Sequence, residues 1–197
     1  MRKPFRIGLT GSIAMGKSTT AAMFADEGVP VWDADAAVHR LYAAGGAAVG
    51  PLWALNPATI VAGAVSRDAL KEWIAKDPAA LSRIERIVHP LVASDRDDFA
   101  ARSAAPVLLF DVPLLFETGL ADRMDLVVVA SASAAEQRRR ALARPGIDTE
   151  QFAKILARQM PDDEKRARAD VIIDTTTLEG ARAAVHSLMM SLREKHA

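Results

Sequence analysis

The sequence predicts an α/β fold: a five-stranded parallel sheet flanked by helices, with two lobes inserted between strands. Three observations lead to this prediction. Five short β-rich runs are apolar without alternation, which is typical of strands covered on both faces. Helical sequence follows each run, and strands that alternate with helices are typical of parallel sheets. Two of the connections are much longer than a crossover helix requires, so they predict inserted lobes.

The strands and the first helices follow from local signals. The strands are predicted, in order, at Phe5–Leu9, Val29–Trp32, Val107–Phe110, Leu126–Ala130 and Val171–Ile173. The first helix is predicted over Lys17–Glu27, because this segment is rich in alanine and Gly28 follows it in the C′ position. A second helix is predicted to begin near Asp35, whose carboxylate suits an N-cap.

The long connections divide the single predicted domain, residues 1–197, into a core and two lobes. Residues 34–105 predict a helical lobe, in which Asp77-Pro78 begins one helix and His89-Pro90 another. The uncharged residues 43–66 contain too many glycines and prolines for a membrane span, so they predict a surface excursion with a short helix. Breaks at Pro145-Gly146 and Pro161 predict a second lobe over residues 135–169. The core is then formed by residues 1–33, 106–134 and 170–197.

Composition excludes several classes of protein. Lysine plus arginine and aspartate plus glutamate both number 25, so bulk positive charge for nucleic-acid binding is absent. The lack of cysteine excludes a disulfide scaffold, a thiolate metal site and a cysteine nucleophile. No signal peptide or membrane span is evident, so we expect a cytoplasmic protein that binds neither nucleic acid nor membrane. No feature of the sequence predicts an oligomeric state.

The strongest motif is a phosphate loop. Gly11-Ser12-Ile13-Ala14-Met15-Gly16-Lys17-Ser18 matches G-x-x-x-x-G-K-[ST] between a predicted strand and a predicted helix, which is the context that the motif requires. We expect the backbone N–H groups of residues 13–18 to surround a phosphate at the positive end of the helix. Lys17 is then placed for the β- and γ-phosphates of a nucleotide, and the Ser18 hydroxyl for Mg²⁺.

Other residues decide between the classes of phosphate-loop protein. Asn56 is the only asparagine and Pro57 follows it, so the guanine-binding N-K-x-D is absent, as is the D-x-x-G of a switch. These absences exclude a GTPase switch. A small-molecule kinase is the favoured class, and a non-catalytic nucleotide-binding regulator is the alternative from another class.

A kinase also needs a group that orients the acceptor hydroxyl. Asp33 and Asp35 follow the second strand, and carboxylates at the carboxyl end of a parallel strand face the ligand crevice. His39 lies one helical turn beyond Asp35, on the same face. Simple capping by Asp35 and a surface or packing role for His39 are the alternatives.

Cations for the transferred phosphoryl group are offered by an arginine-rich helix. Arg140 and Arg144 share one face, and their guanidinium groups suit phosphate oxygens, whereas Arg138 and Arg139 are predicted to be solvated. Asp111, at the end of the third strand, suits either Mg²⁺ bound through water or a capping role.

Taken together, these residues resemble the dephospho-coenzyme A kinase family. The resemblance is carried, in chain order, by Gly8-Leu9-Thr10-Gly11, Gly16-Lys17-Ser18-Thr19, Asp33-Ala34-Asp35, Arg67, His89-Pro90, Pro113-Leu114-Leu115-Phe116-Glu117, Gln137 with Arg140 and Arg144, Gln159, and Ala169-Asp170. The phosphate loop is generic, but the Asp-Ala-Asp, His-Pro and Pro-Leu-Leu-Phe-Glu motifs are far more specific.

The resemblance implies a P-loop kinase fold of the nucleoside-monophosphate-kinase type, with residues 34–105 as the acceptor lobe and 135–169 as a lid. It implies transfer of the γ-phosphoryl group of ATP, with Mg²⁺, to the ribose 3′-hydroxyl of dephospho-coenzyme A. Another small-metabolite kinase of this fold, such as one acting on a nucleoside monophosphate, is the alternative among enzymes.

The resemblance also implies roles for individual residues. Lys17, Arg140 and Arg144 are expected to act on the phosphates, and Asp35 is expected to activate the hydroxyl. The residues expected at the acceptor are Asp33, Asp35, His39, Arg67, His89, Pro113, Leu114 and Leu115. The chain departs from the family pattern at Ser12 and Ala14, where glycine is usual, and in Pro51–Ala64, which lacks the usual Phe-Gly. It departs again at Asp174–Thr177, where the family usually has Asn and then Gly near the adenine. Asp174 takes the place of that Asn, so it is expected beside the nucleotide.

Overall fold

The central sheet carries the phosphate loop on its middle strand. The computed structural model describes residues 3–196; residues 1, 2 and 197 of the predicted domain lie outside this range. The strands are β1 (Phe5–Thr10), β2 (Val31–Asp33), β3 (Ile60–Val61), β4 (Ala64–Val65), β5 (Val107–Asp111), β6 (Leu126–Ser131) and β7 (Val171–Asp174). The helices are α1 (Lys17–Asp26), α2 (Ala34–Tyr42), α3 (Val49–Leu55), α4 (Arg67–Lys76), α5 (Ala80–Arg102), α6 (Ala134–Leu142), α7 (Thr149–Leu156), α8 (Asp162–Ala167) and α9 (Leu178–His196).

The strand order of the main sheet is β2-β5-β1-β6-β7. β1 pairs in parallel with β5 and β6, and β6 pairs in parallel with β7. The prediction of a five-stranded parallel sheet is confirmed. Every residue of β5 is buried, which is why its sequence shows no alternation. The loop after β1 emerges between the ends of β5 and β6, beside Asp111 and Ser131.

Helices α1 and α9 pack together and cover the sheet. Their contacts build a core from buried apolar side chains, including Ile7, Leu9, Phe24, Leu109, Val128, Ile173 and Val185. The end of α1 agrees with the prediction, because Gly28 follows the helix with a φ of 81°. The Gly28 amide donates to the Ala25 carbonyl (2.9 Å) and the Val29 amide to that of Phe24 (3.1 Å). This is a Schellman motif, which needs a left-handed residue at Gly28.

The chain divides into two compact units. The first unit comprises the residues up to 32 and those from 104 onward, and the second comprises residues 33–103. The second unit has its own apolar core, built from Leu41, Leu52, Val65, Leu70, Ile84 and Val88. Residues 135–169, here called the lid segment, belong to the first unit, and their division from the core stays a prediction.

Two predictions for the second unit need correction. His89-Pro90 does not begin a helix, because α5 continues through Pro90 over 23 residues. The buried stripe that includes Ile84 and Val88 holds this helix together across the missing proline N–H. The excursion contains the predicted short helix, α3, but it also contains an antiparallel hairpin of β3 and β4. Its turn places Ala62 and Gly63 at φ 49° and 77°, and alanine is an unusual residue in that conformation.

None of the helices in residues 3–196 combines the length and the apolar character that crossing a bilayer requires.

Candidate active site

The phosphate loop, residues 11–16, joins β1 to α1 where little room is left for side chains. A Cβ on Gly11 would lie 2.6 Å from the Ala130 carbonyl oxygen, and one on Gly16 would lie 3.0 Å from the Thr175 side chain. Gly16 also has a φ of 85°, which disfavours any side chain. Ala14 adopts a φ of 62° although it carries a Cβ, and its side chain is buried. Steric crowding therefore explains why the motif requires glycine at both Gly11 and Gly16.

Backbone amides at this loop are arranged for an anion. Within residues 3–196, no acceptor is found for the N–H groups of Ala14, Gly16, Lys17, Ser18 and Thr19. Unsatisfied amides at the positive end of a helix form an anion site. The expectation that all amides of residues 13–18 surround a phosphate needs correction at two positions. The Met15 amide donates to the Ser12 carbonyl (3.1 Å), and the Ile13 amide donates to Gln159 Oε1 (2.9 Å).

Lys17 and Asp111 form an ion pair beside the loop. The Asp111 side chain is buried at the end of β5, and Ser18 is exposed in the first turn of α1. Mg²⁺ prefers such oxygen ligands, and it usually takes only one or two from the protein while phosphates and water supply the rest. In the described part of the chain, no group of three or more His, Cys, Asp or Glu stands together. The available donors therefore suit an ion that arrives with a nucleotide.

A pocket of about 460 Å³ lies beside the phosphate loop within the first unit. Its wall combines the loop with α1, α6 and the turn before α9, and it includes Gly16, Thr19, Thr20, Glu136, Arg139, Arg140, Arg144, Thr175 and Thr176. Pockets for small ligands commonly have volumes of about 300–1,000 Å³. The pocket is thus large enough for a nucleoside whose phosphates bind at the N-terminus of α1.

Arg140 is fixed on the wall of this pocket by hydrogen bonds. Its Nε donates to Glu136 Oε1 (2.6 Å), and its Nη2 donates to the Thr175 carbonyl (2.7 Å). Arg144, one turn further on, is exposed, and its side chain has no hydrogen bond or ion pair within residues 3–196. Both arginines line the pocket, but among the described residues the side chain of Arg140 is hydrogen-bonded and that of Arg144 is not. Their contact with phosphate stays a prediction.

Glu136, to which the sequence analysis gave no role, organises these cations. Hydrogen bonds from the Arg139 side chain and then from Arg140 outweigh the effect of burial and lower the pKa of Glu136 to about 2. The carboxylate is therefore ionised at physiological pH. It holds two guanidinium groups at the pocket.

Thr175 connects the end of β7 to the phosphate loop. Its Oγ1 lies 2.8 Å from the Met15 carbonyl oxygen and 3.2 Å from that of Ser131. Asp174, which was expected beside the nucleotide, instead accepts a hydrogen bond from the Thr176 amide (2.7 Å). Hydrogen bonds from the Thr176 side chain and amide lower the pKa of Asp174. Thr175 and Thr176 line the pocket, and the expected position of Asp174 beside the nucleotide stays a prediction.

The segment Pro113–Glu117, which follows β5, anchors the end of the lid segment. Lys165 is completely buried in α8, and its Nζ lies 3.0 Å from Glu117 Oε1 and 3.1 Å from the Pro113 carbonyl oxygen. Glu117 also accepts the Met160 amide (2.8 Å). Burial alone raises the pKa of Glu117, but the hydrogen bonds from Met160 and Lys165 outweigh burial and lower it.

The three residues of this segment that were expected at the acceptor lie in different environments. Leu115 is fully buried, and its Cδ2 would lie 2.9 Å from a Cβ on Gly8. Its side chain packs in the core, and the expected substrate contact of Leu115 stays a prediction. Pro113 is half-buried and Leu114 is exposed, and for these two the contact stays a prediction.

In the second unit, Asp33 and Asp35 have different surroundings. Asp33 is the N-cap of α2, because its Oδ1 accepts the Ala36 amide (2.9 Å). The expectation that Asp35 caps this helix is wrong, since α2 begins one residue earlier, at Ala34. Asp35 is exposed in the first turn, and its carboxylate has no hydrogen bond or ion pair within the described residues. Asp35 is thus the carboxylate that is available for chemistry.

The other expected acceptor ligands are exposed side chains on three helices of the second unit. His39 lies on α2, Arg67 is the first residue of α4, and His89 precedes the proline within α5. Burial raises the pKa of the Tyr42 phenol, and the positive charge of Arg67 offsets part of this rise. Arg67 therefore lies near the end of α2, the helix that carries Asp35 and His39.

Sequence reasoning assigned no role to five residues that organise the first unit: Glu136, Gln137, Gln159, Lys165 and Thr175. Gln137 and Gln159 were among the residues that carry the family resemblance, and for Gln137 the helix pattern gives a further signal. Gln137 and Ala141 are the buried residues of an otherwise charged helix, and their spacing of four places them on one face. An uncharged stripe on such a helix indicates the packed side, and a glutamine within it needs a partner.

The comparisons with known proteins agree on one family. The family model CoaE, dephospho-CoA kinase, matches residues 5–179. A dephospho-CoA kinase of Cereibacter sphaeroides is 59% identical over 192 residues, which cover 98% of each chain. A dephospho-CoA kinase of Ruegeria pomeroyi is 56% identical over 189 residues, which cover 96% of each chain.

Among solved structures, the crystal structure of TT1252 from Thermus thermophilus superposes with a TM-score of 0.85 at 33% identity. The superposition covers 96% of this chain and 98% of the other. The similarity therefore extends over residues of both units. The chain belongs to the dephospho-CoA kinase family.

Proposed function

We propose that this protein transfers the γ-phosphoryl group of ATP to the ribose 3′-hydroxyl of dephospho-coenzyme A, giving coenzyme A and ADP. The acceptor oxygen forms a bond to the γ-phosphorus, and the bond from that phosphorus to the β–γ bridging oxygen breaks. The electron pair of the broken bond leaves on ADP. The proton of the hydroxyl passes to a carboxylate of the enzyme.

The observation that carries the proposal is the set of amides at the phosphate loop. Five N–H groups without an acceptor in residues 3–196 meet the ammonium group of Lys17 at one helix N-terminus. This arrangement binds the β- and γ-phosphates, because each phosphate oxygen finds an N–H donor and the positive end of a helix dipole. The adjoining pocket supplies room for the nucleoside.

We assign the proton acceptor to Asp35 rather than Asp33. One oxygen of Asp33 already caps α2, whereas Asp35 is exposed and has no partner within the described residues. A general base must reach the proton that it removes, so a carboxylate without a structural duty is the better candidate. His39, Arg67 and His89 are then proposed to bind the acceptor, with Asp33, Pro113, Leu114 and Leu115.

The donor set fits Mg²⁺, which the motif implies. Ser18 and Asp111 supply hard oxygen ligands at the phosphate loop. When bound, Mg²⁺ neutralises charge on the β- and γ-phosphates. Arg144 is exposed and unpaired within residues 3–196, so it is proposed to reach the transferred group, while Arg140 stays on the pocket wall.

The test is an ADP-release assay with Mg²⁺ and ATP in which dephospho-coenzyme A, AMP, CMP and shikimate are offered separately. We expect fast ADP release with dephospho-coenzyme A alone, and a product heavier by one phosphoryl group in the mass spectrum. Turnover with another acceptor only would reassign Arg67 and His89. ATP binding without turnover on any acceptor would favour a nucleotide-binding regulator instead.

A further inference from the structure

We propose that Gln137 and Gln159 are positioning residues of the nucleotide site. From the lid segment, they hold the phosphate loop in its phosphate-binding conformation before the nucleotide arrives. The loop is then preorganised only while the lid segment is seated on it. This inference rests on the proposed ATP site, but it does not depend on the identity of the acceptor.

The two glutamines bind opposite sides of one loop residue. Gln159 Oε1 accepts the Ile13 amide (2.9 Å), and Gln137 Nε2 donates to the Ile13 carbonyl oxygen (2.9 Å). The N–H belongs to the peptide plane before the Ile13 Cα, and the carbonyl belongs to the plane after it. The two bonds therefore restrain both backbone dihedral angles of Ile13. Gln137 is 6% exposed, so its bond is shielded from water.

Apolar contacts reinforce the two hydrogen bonds. Buried Ala14 of the loop packs with Ala141 of α6 and Phe152 of α7, and Ile13, Ile147 and Leu156 join this cluster. The lid segment thus contacts the loop through apolar side chains as well as through the side-chain amides of the two glutamines. Moving the lid segment away would expose this cluster and leave the Ile13 amide and carbonyl without their partners.

Ile13, which the two glutamines restrain, directly precedes Ala14, whose backbone is strained. Ala14 has a left-handed φ of 62°, which is unfavourable for a residue with a Cβ. The amides of Ala14 and Gly16 lie on either side of Met15, whose own amide is used within the loop. A chain without the restraint at Ile13 relaxes at Ala14, and the amides that form the anion site lose their arrangement. The two glutamines therefore act on nucleotide binding through Ile13, without touching the nucleotide.

The test replaces each glutamine by methionine, which has a similar shape but neither donates nor accepts strongly. Gln151→Met is the matched control, because Gln151 lies on the same lid segment but is exposed. The dissociation constant of ATP is measured by calorimetry without any acceptor. We expect Gln137→Met and Gln159→Met to raise this constant about tenfold, the effect of losing one good hydrogen bond. The rate at saturating ATP should change less than about twofold, because bound phosphates restore the loop.

A second readout follows the Ile13 amide itself. In the nucleotide-free enzyme, its hydrogen exchange should be slow, and Gln159→Met should make it fast. Gln159→Glu retains an acceptor oxygen, so it should restore slow exchange. The double methionine variant should weaken ATP binding by less than the product of the single effects, because both bonds restrain one residue.

The proposal is overturned if both methionine variants bind ATP as tightly as Gln151→Met, or if the Ile13 amide exchanges rapidly in the unmodified enzyme. A purely structural role would lower thermal stability and leave the ATP affinity of the folded protein unchanged, which also overturns it. If Gln137→Met fails to fold, Gln159→Met carries the test, since Gln159 is only half-buried. Failure of dephospho-coenzyme A as acceptor would refute the proposed function but leave these binding results intact.

Discussion

At the scale of single residues, neighbouring side chains of one type do different work because their backbone positions differ. Asp33 ends β2 and satisfies an amide of α2, while Asp35 lies two residues on with no structural partner within residues 3–196. Arg140 is bound to backbone carbonyl oxygens, whereas Arg144 is exposed. The sequence indicates such pairs as candidate functional residues, but the local geometry decides which member is free of structural hydrogen bonds.

The two aspartates provide a matched pair of variants. Asp35→Asn should lower the rate at saturating substrates by about a hundredfold, because the amide cannot accept the proton. Asp33→Asn should retain most of the rate, since asparagine also caps helices. Steady-state assays with dephospho-coenzyme A and thermal melts of both variants measure these effects. A larger loss of rate in Asp33→Asn would move the base to that residue.

The sequence indicates the residues that are proposed to bind phosphate more directly than the residues that hold the loop. The motif identifies Gly11, Gly16 and Lys17 because their chemistry is local to eight consecutive positions. Gln137 and Gln159 act on Ile13 from 124 and 146 residues away, and nothing near them in sequence specifies that partner. Long-range polar contacts of this kind depend on the fold, so one sequence does not reveal them.

At the scale of elements, the predictions succeeded where burial fixes the pattern. β5 and β6 are buried almost throughout and were predicted to within one residue at each end. The hairpin was missed because β3 and β4 have two residues each and their turn begins with alanine, which gives no turn signal. At Pro90 the local signal for a helix start was misleading, because tertiary packing along α5 outweighs one missing hydrogen bond.

The hairpin turn offers a stabilising substitution. Ala62→Asn places a residue that tolerates the left-handed region where alanine now has a φ of 49°. Because Ala62 is exposed, no packing is lost, and we expect a gain of about 0.5–1 kcal/mol, or about 1–4 °C in melting temperature. Ala54→Asn, on the exposed surface of α3, should be neutral or slightly destabilising. Equal melting temperatures for both variants would refute the argument.

The pair that anchors the lid segment predicts an asymmetric loss of stability. Glu117→Gln leaves the ammonium group of Lys165 fully buried without a counter-charge, so it should cost about 3 kcal/mol. Lys165→Met leaves a carboxylate that is 21% exposed and reaches water, so it should cost less. Urea unfolding at neutral pH measures both values. A greater cost for Lys165→Met would show that the packing of Lys165 matters more than its charge.

The same pair makes the unfolding free energy of the protein depend on pH in the acid range. The pKa of Glu117 is lowered in the folded state, so its contribution to stability is complete above the ordinary value of 4.5 and declines as the pH falls below it. We therefore expect the unfolding free energy of Glu117→Gln to decrease less between about pH 5 and pH 3 than that of the unmodified protein. Glu150→Gln, at an exposed pair with Lys154, should follow the unmodified protein. Parallel curves for all three proteins would contradict this prediction.

At the scale of the whole molecule, each unit has its own apolar core. All the residues proposed to bind ATP phosphates belong to the first unit, and Asp35, His39, Arg67 and His89 belong to the second. Binding of a ligand stabilises only the conformations in which its site is folded. Nucleotide and acceptor should therefore stabilise different parts of the chain.

Hydrogen exchange provides the test of this division. ATP at a hundredfold excess over its dissociation constant should slow exchange in β1 and β6 by an amount that corresponds to about 2.7 kcal/mol. Amides around Leu52 and Leu70, in the core of the second unit, should change little if that unit opens by itself. Equal protection in both places would show that the two units unfold as one cooperative structure.

The junction between β2 and α2 limits how this sequence can diverge. β2 ends at Asp33 and α2 begins at Ala34, so no connecting residue separates the strand from the helix. Each residue of an α-helix advances about 100° around the axis. One residue inserted after Asp33 would leave the cap and the apolar composition intact but would rotate Asp35 by that angle. Side chains at this junction can be exchanged without moving the backbone, whereas insertions and deletions there would displace the carboxylate that is proposed to act as the base.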